Sequence, residues 1–301
     1  QPLIERSDVP TIAVFNTLNW NRSGLVEVFI DHDILPTNRE SGITDAQGKK
    51  VEARLMSSRP EGSYWNLWVE NIPAMGYKIL RIQVGDQLIN AINDTSPGPE
   101  LENAYYQLKI DRSYGVVTSL FDKELQIELL DKDSTIKLGE FIYERLENRE
   151  AMERLTNTNR DSVYVPLNKK LSSLTDVKVS EIEEGPLWKS VKIHGLAAEC
   201  ADNRGVNIEI RLYNEVKRIE ILYGMHKLQV TEPEGVYVAF PFELNNGHLA
   251  FEVQGGTISP GENQLEGTSS DWNVIQNFAA VRNQESQIIF SSNDAHLVQF
   301  G

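Results

Sequence analysis

The 301-residue sequence predicts an all-β protein of antiparallel sheets, arranged in two domains. Three observations lead there. Apolar and polar residues alternate in run after run, as in VEVFI at 26–30, VKVSEIE at 177–183 and VNIEIRLY at 206–213. Successive side chains of an extended chain point to opposite faces, so a period of two marks strands with one buried face. The runs are rich in Val, Ile, Tyr and Trp and are broken by Gly, Asn, Asp and Pro; about fifteen such candidates follow one another, the spacing of a sandwich. Finally, INDTSPGPELEN at 92–103 interrupts the rhythm with two prolines, a glycine and polar residues. Such a stretch reads as a linker. It divides the chain into a small β-sandwich domain, 1–92, and a large domain of stacked sheets, 100–301.

The elements can be justified in chain order. VFNTLNWNRSGLVEV, 14–28, reads as strand, turn and strand, with Asn16, Asn19, Trp20, Asn21 and Arg22 at its centre. Asparagine amides hydrogen-bond nearby backbone and tolerate turn conformations. Trp20 is expected to pin the turn to adjoining structure, and Arg22 to pair with an acidic neighbour. SYWNLWVEN, 63–71, carries Tyr64, Trp65 and Trp68. Rings of this kind usually fill a sandwich core; exposed and coplanar, they would stack on sugars. GEFIYERLENREAMERLTN, 139–157, is rich in Glu, Arg and Leu. These are good helix formers, and Leu146 and Leu155 can share a face, so a short helix or a long ordered loop is expected. WKSVKIHGLA, from Trp188, is again strand-like.

Composition narrows the function classes. The net charge of −15 repels phosphate backbones, which argues against nucleic acid and suits a neutral ligand. No apolar run approaches the roughly 18 residues of a membrane span, so no membrane partner is expected. Cys200 is the single cysteine, which excludes an internal disulfide and a thiolate metal cluster. Bacterial cytosol and periplasm are both permitted. The opening QPLIERSD lacks a methionine, as expected of a processed chain or a piece of a longer one.

Candidate chemistry is sparse. His32, His194, His226, His248 and His296 show no ligand spacing. Asp31-His32-Asp33 would point to alternate faces of a strand and reads as a solvated loop. A glycosidase needs two carboxylates about 5 to 10 Å apart, but 44 acidic residues give sequence alone no way to select a pair. Glu181, Glu183 and Glu184 read as a wet edge, and Glu209 with Arg211 as a charge ladder on one strand face. There is no Gly-x-Ser-x-Gly elbow, phosphate loop or dinucleotide fingerprint, so no catalytic residue, metal ligand or cofactor is assigned. Tyr143 stands apart, followed by the polar Glu144 and Arg145 in an interrupted segment. A phenol there both donates and accepts, which suits a sugar hydroxyl or simple packing.

Five stretches, in order, resemble glycoside hydrolase family 38, the α-mannosidase family. VFNTLNWNRSGLVEV is similar to the signature that opens the family's β region, with Thr17 in place of the usual proline. VENIPAMGYKILRI at 69–82 and LENAYYQLKIDRSYGVVTSLFDKELQIELLD at 101–131 follow its pattern. So do VYVAFPFEL at 236–244 and GTSSDWNVIQNFAAV at 267–281. The resemblance implies that the large domain is a galactose mutarotase-like supersandwich, ending short of the family's last strands. It implies that the zinc site and nucleophile of a retaining α-mannosidase lie in a catalytic domain of the same polypeptide, upstream of this chain. It also implies a sugar-contacting role for Tyr143, a structural one for Asp271 and Trp272, and mannose-containing oligosaccharides as the whole enzyme's substrates. A chain of this kind should expose an apolar patch on the large domain, able to drive homo-oligomer formation. Two alternatives stay open. One is a carbohydrate-binding module using Tyr64, Trp65 or Trp68. The other is a free-standing sugar mutarotase using His194 or His226 with a carboxylate.

Overall fold

The computed structural model describes residues 7–88, 94–96, 98, 100–149, 168–268 and 271–300. These form twenty-six strands in antiparallel sheets, the predicted all-β class. Two compact units are present. The first comprises Gln1–Gly98, Ser180–Lys192 and Glu209–Glu220; the second comprises Pro99–Val179, Ile193–Ile208 and Ile221–Gly301. Residues 180–192 and 209–220, assigned from sequence to the second domain, therefore count with the first unit.

The first seven strands are β1 (Thr11–Phe15), β2 (Arg22–Asp31), β3 (Arg39–Asp45), β4 (Lys50–Val51), β5 (Ala53–Ser58), β6 (Gly62–Ile72) and β7 (Tyr77–Leu88). They make two sheets, ordered β1-β7-β3-β4 and β2-β6-β5. Both contribute to one core that includes Val14, Ile43 and Leu80 from one sheet and Ile30, Leu67 and Val69 from the other. This is a sandwich: each sheet alternates inward apolar with outward polar residues, and the inward sets close on each other.

The opening strand–turn–strand is present, but β1 and β2 lie in different sheets, so the turn is a crossover rather than a hairpin. Asn16 holds it. Its buried Nδ2 donates to the carbonyls of Trp20, Ile72 and Pro73 at 2.8, 3.2 and 3.1 Å, and its Oδ1 accepts from the Leu18 amide. Asn21 Oδ1 accepts from the Ala74 amide at 2.9 Å. Trp20, expected to act as the pin, is instead 58% exposed. An amide brings two N–H donors to share among these three carbonyls and an acceptor for the Leu18 amide, where an indole offers one N–H alone.

The remaining strands are β8 (Asp94–Ser96), β9 (Glu100–Glu102), β10 (Tyr106–Asp111), β11 (Val116–Asp122), β12 (Ile127–Glu128), β13 (Phe141–Leu146), β14 (Lys169–Ser172), β15 (Thr175–Val179) and β16 (Ile182–Glu184). After them come β17 (Trp188–Leu196), β18 (Ala201–Tyr213), β19 (Ile219–Lys227), β20 (Glu234–Val238), β21 (His248–Val253), β22 (Gly256–Ile258), β23 (Asn273–Val274), β24 (Phe278–Arg282), β25 (Gln287–Ser291) and β26 (Leu297–Val298). In the second unit the sheets run β12-β11-β10-β9, β14-β13-β20, β22-β21-β24-β25 and β23-β26. One core cluster there gathers Phe251, Ile275 and Ala279, with Phe290 and Phe300 packed against it.

The segment expected to be a helix or a loop differs. Residues 141–146 form β13, paired on one side with β14 and on the other with β20. Phe141 and Tyr143 face inward while Ile142 and Glu144 face outward. Two partner strands satisfy the backbone more completely than an isolated helical turn, so pairing overrides the helix propensity of Glu, Arg and Leu. Residues 150–157 of that segment lie outside the described residues.

Candidate functional site

Tyr143 sits at the centre of the β14-β13-β20 sheet, opposite Ser172 and Val236. It is on a strand rather than a loop and only 1% exposed. Its hydroxyl donates to Glu234 Oε2 at 2.6 Å, and Lys227 Nζ approaches Glu234 Oε1 at 2.7 Å and lies 5.9 Å from the Tyr143 ring centroid. Burial pushes the Tyr143 hydroxyl well above its ordinary range, and Glu234 adds to the effect. Burial works against the charge of Glu234 too, but bonds from Lys227 and Tyr143 outweigh it and hold the carboxyl below its ordinary value. The result is a phenol, a carboxylate and an ammonium in one chain, with the phenol proton already committed. Cys200, fully buried, has its thiol pushed up by burial, which makes it a poor nucleophile.

Nearby along the chain, a cleft of about 330 Å³ opens within the second unit. Val116, Phe141 and Ile208 are among its apolar lining, and Tyr114, Lys137, Glu140 and Ser173 among its polar lining. Glu140 accepts from the Lys137 amide at 2.9 Å through Oε2 and from the Ser173 hydroxyl at 3.0 Å through Oε1. A carboxylate with both oxygens already engaged, one by the Lys137 amide and one by Ser173, is poorly placed as a general base. Neither His194 nor His226 lines this cleft. His194 instead faces the Asn207 amide, Nδ1 to Oδ1, at 3.1 Å. The mutarotase arrangement, an acid histidine and a base in a groove, does not form there.

The other sequence candidates separate. Tyr64 and Trp68 occupy one face of β6 and Trp65 the other, where it packs on the sandwich core. Tyr64 meets Phe29 edge-on at 5.0 Å, and Trp68 packs on Leu187, Trp188 and Tyr213. A coplanar sugar platform is therefore not formed by these three rings. Among the described residues, no three His, Cys, Asp or Glu side chains are grouped to hold a metal ion. His32 is fixed by the Arg59 carbonyl at 2.9 Å.

The expected charge ladder is present: Arg211 pairs with Glu209 at 2.8 Å and with Glu220 at 3.3 Å. Missed from sequence was its partner. The guanidinium carbons of Arg54 and Arg211 lie 4.5 and 4.8 Å from the ring centroid of Trp188. Arg54 also donates to the Trp188 carbonyl at 3.0 Å. Burial opposes the charge of Glu209, yet the bond from Arg211 keeps its carboxyl below the ordinary value. This group is held together by mutual neutralisation and has no reacting atom to offer. No local pattern announces that positions 54, 188 and 211 meet.

Residues 101–293 match the model of the glycosyl hydrolases family 38 C-terminal domain. That match spans well over half of the chain. The chain belongs to glycosyl hydrolase family 38. Among solved structures, this family 38 chain is similar to an alpha-mannosidase from Enterococcus faecalis V583, at 14% identity and a TM-score of 0.59. That alignment covers 93% of this chain and 37% of the other. It is similar also to a glycosyl hydrolase family 38 protein from Enterococcus faecalis, at 15% identity and a TM-score of 0.57, covering 93% and 38%. At these identities the likeness establishes the fold. The chain spans less than two-fifths of the length of either structure. The search of curated proteins gave no match.

Proposed function

We propose that this family 38 chain is the non-catalytic β portion of a longer, zinc-dependent α-mannosidase, and that it supports a separate catalytic domain. The observation that carries this reading is the C-terminal-domain match over 101–293, together with an alignment that takes in 93% of this chain but only 37% of a solved alpha-mannosidase. The described residues do not fit a zinc ion, since no group of ligating side chains converges. We place zinc and the nucleophile in the catalytic domain and route no step through them here.

The chain's own contribution to a sugar cleft is assigned to the Tyr143, Glu234 and Lys227 group. Tyr143 is too buried to touch a sugar directly in this arrangement. Its hydroxyl orients Glu234, whose side chain is 20% exposed, beside Lys227, 32% exposed. Those two heads are the atoms a sugar hydroxyl would reach, one accepting and one donating. Tyr143 is thus a positioning residue.

Purified 301-residue protein, incubated with an aryl α-mannoside and added zinc, should show no turnover above the buffer rate. Metal-dependent hydrolysis by this chain alone would overturn the reading.

A further inference from the structure

The outer face of the β14-β13-β20 sheet carries a second, separate arrangement. Tyr237 on β20 pairs with Ile142, and Gly235 pairs with Glu144, so these residues share a face opposite to that of Tyr143. Gly235 has a specific consequence. A Cβ at that position would lie 2.7, 2.8 and 2.9 Å from three atoms of the Tyr237 side chain. The Tyr237 ring therefore lies back over the space that only a glycine leaves free. Trp272 stacks on it, with centroids 5.6 Å apart and planes within 23°. Trp272 is 42% exposed, and Leu171, opposite Glu144 on β14, is 61% exposed.

Beside the two rings stands Glu144. Its Oε1 accepts from the Tyr237 hydroxyl at 3.4 Å and its Oε2 lies 3.4 Å from Lys169 Nζ. An ionised carboxylate offers about four acceptor positions, so two long interactions leave capacity for incoming donors.

We propose that this face is a binding site for neutral pyranosides, with Trp272 stacking on the sugar's C–H face and Glu144 accepting from its hydroxyls. The charge pattern selects this chemistry. A net charge of −15 disfavours anions. Lys169 already neutralises Glu144, which removes most of the pull on a cation. A ligand that is uncharged, apolar on one flat face and rich in O–H donors at its edge fits what remains. The site goes beyond the hydrolase assignment, because it needs only residues of this chain and no catalytic domain.

The test is a titration of the 301-residue protein with methyl α-D-mannopyranoside, methyl α-D-glucopyranoside and methyl β-D-galactopyranoside, followed through the indole N–H signals of the five tryptophans. Trp272→Phe assigns the signal. At about millimolar affinity, at least one sugar should move the Trp272 signal progressively. Trp272→Ala should weaken binding by about tenfold or more, the scale of a lost aromatic anchor. Glu144→Gln, which keeps shape and removes charge, should weaken it less, and Gly235→Val should abolish it by displacing the Tyr237 ring. A Trp272 signal that no sugar moves, or binding unchanged in both Glu144→Gln and Trp272→Ala, would overturn the proposal.

Discussion

Asn16 shows what one side chain in the opening turn does. It is 4% exposed, and its amide joins the turn after β1 to the carbonyls of Ile72 and Pro73, more than fifty residues away. Replacing it with alanine leaves several buried groups unpaired, at about 1–3 kcal/mol for such a loss. Asn16→Ala should therefore lose about 2–3 kcal/mol in urea unfolding. Asn16→Asp should lose more, because a carboxylate would face carbonyls it cannot donate to. A loss below that seen for an exposed control such as Trp20→Ala would refute this role. The need for an amide at this turn was legible in the sequence; its partners were not, since nothing local to residue 16 names residues 72 and 73. Tyr143 was legible as unusual for the same kind of reason. Its burial was not, because that follows from β20, which pairs with it although β14 to β19 lie between them in the chain.

At the scale of elements, long strands announced themselves and short ones did not. β2, β6 and β18 have ten, eleven and thirteen residues, enough for alternation to repeat. β4, β12, β23 and β26 have two each, and a period of two cannot show itself in two residues. β13 misled by composition, since its Glu, Arg and Leu favour a helix until partners on both sides are supplied. The turn between β10 and β11 depends on one backbone position. Gly115 has φ +66°, and a Cβ there would meet Ile193 Cγ2 at 2.6 Å and Val177 Cγ1 at 2.9 Å. Both objections act on Gly115→Ala, a left-handed backbone and a clash with packed side chains. The variant should lose about 2–3 kcal/mol, measured by chemical denaturation. A neutral result would mean that the turn relaxes at no cost and that the hairpin is not tightly packed.

For the molecule as a whole, charge and burial set opposing dependences on pH. Glu209, Glu234, Asp45 and Asp202 all have carboxyls held below their ordinary values of 4.5 and 3.8. For the first three, burial opposes the charge and donors overcome it; for Asp202 the bond from Arg204 is the main cause. A depressed acid contributes stability that is fully present above its unfolded value and is lost as pH falls through its folded value. Tyr213 behaves in the opposite sense. Burial pushes its hydroxyl up to about 12 from 10.0, so its contribution is complete below pH 10 and is lost as pH rises toward 12. Superimposed on both is the repulsion among the charges that sum to −15. Lowering the pH from neutral first relieves that repulsion, which favours the compact state. The melting temperature at low salt should therefore hold or rise slightly from pH 7 to about 5, fall below about 4.5 as the depressed acids protonate, and fall again above about pH 10. Added salt should flatten the segment between pH 7 and 5, because screening removes repulsion between exposed charges, and should leave the acid fall largely in place, because the paired groups are partly shielded from solvent. Thermal unfolding followed across this range at two ionic strengths separates the two effects. A melting temperature that falls steadily from pH 7 downward at low salt would show that self-repulsion is not a significant load on this fold.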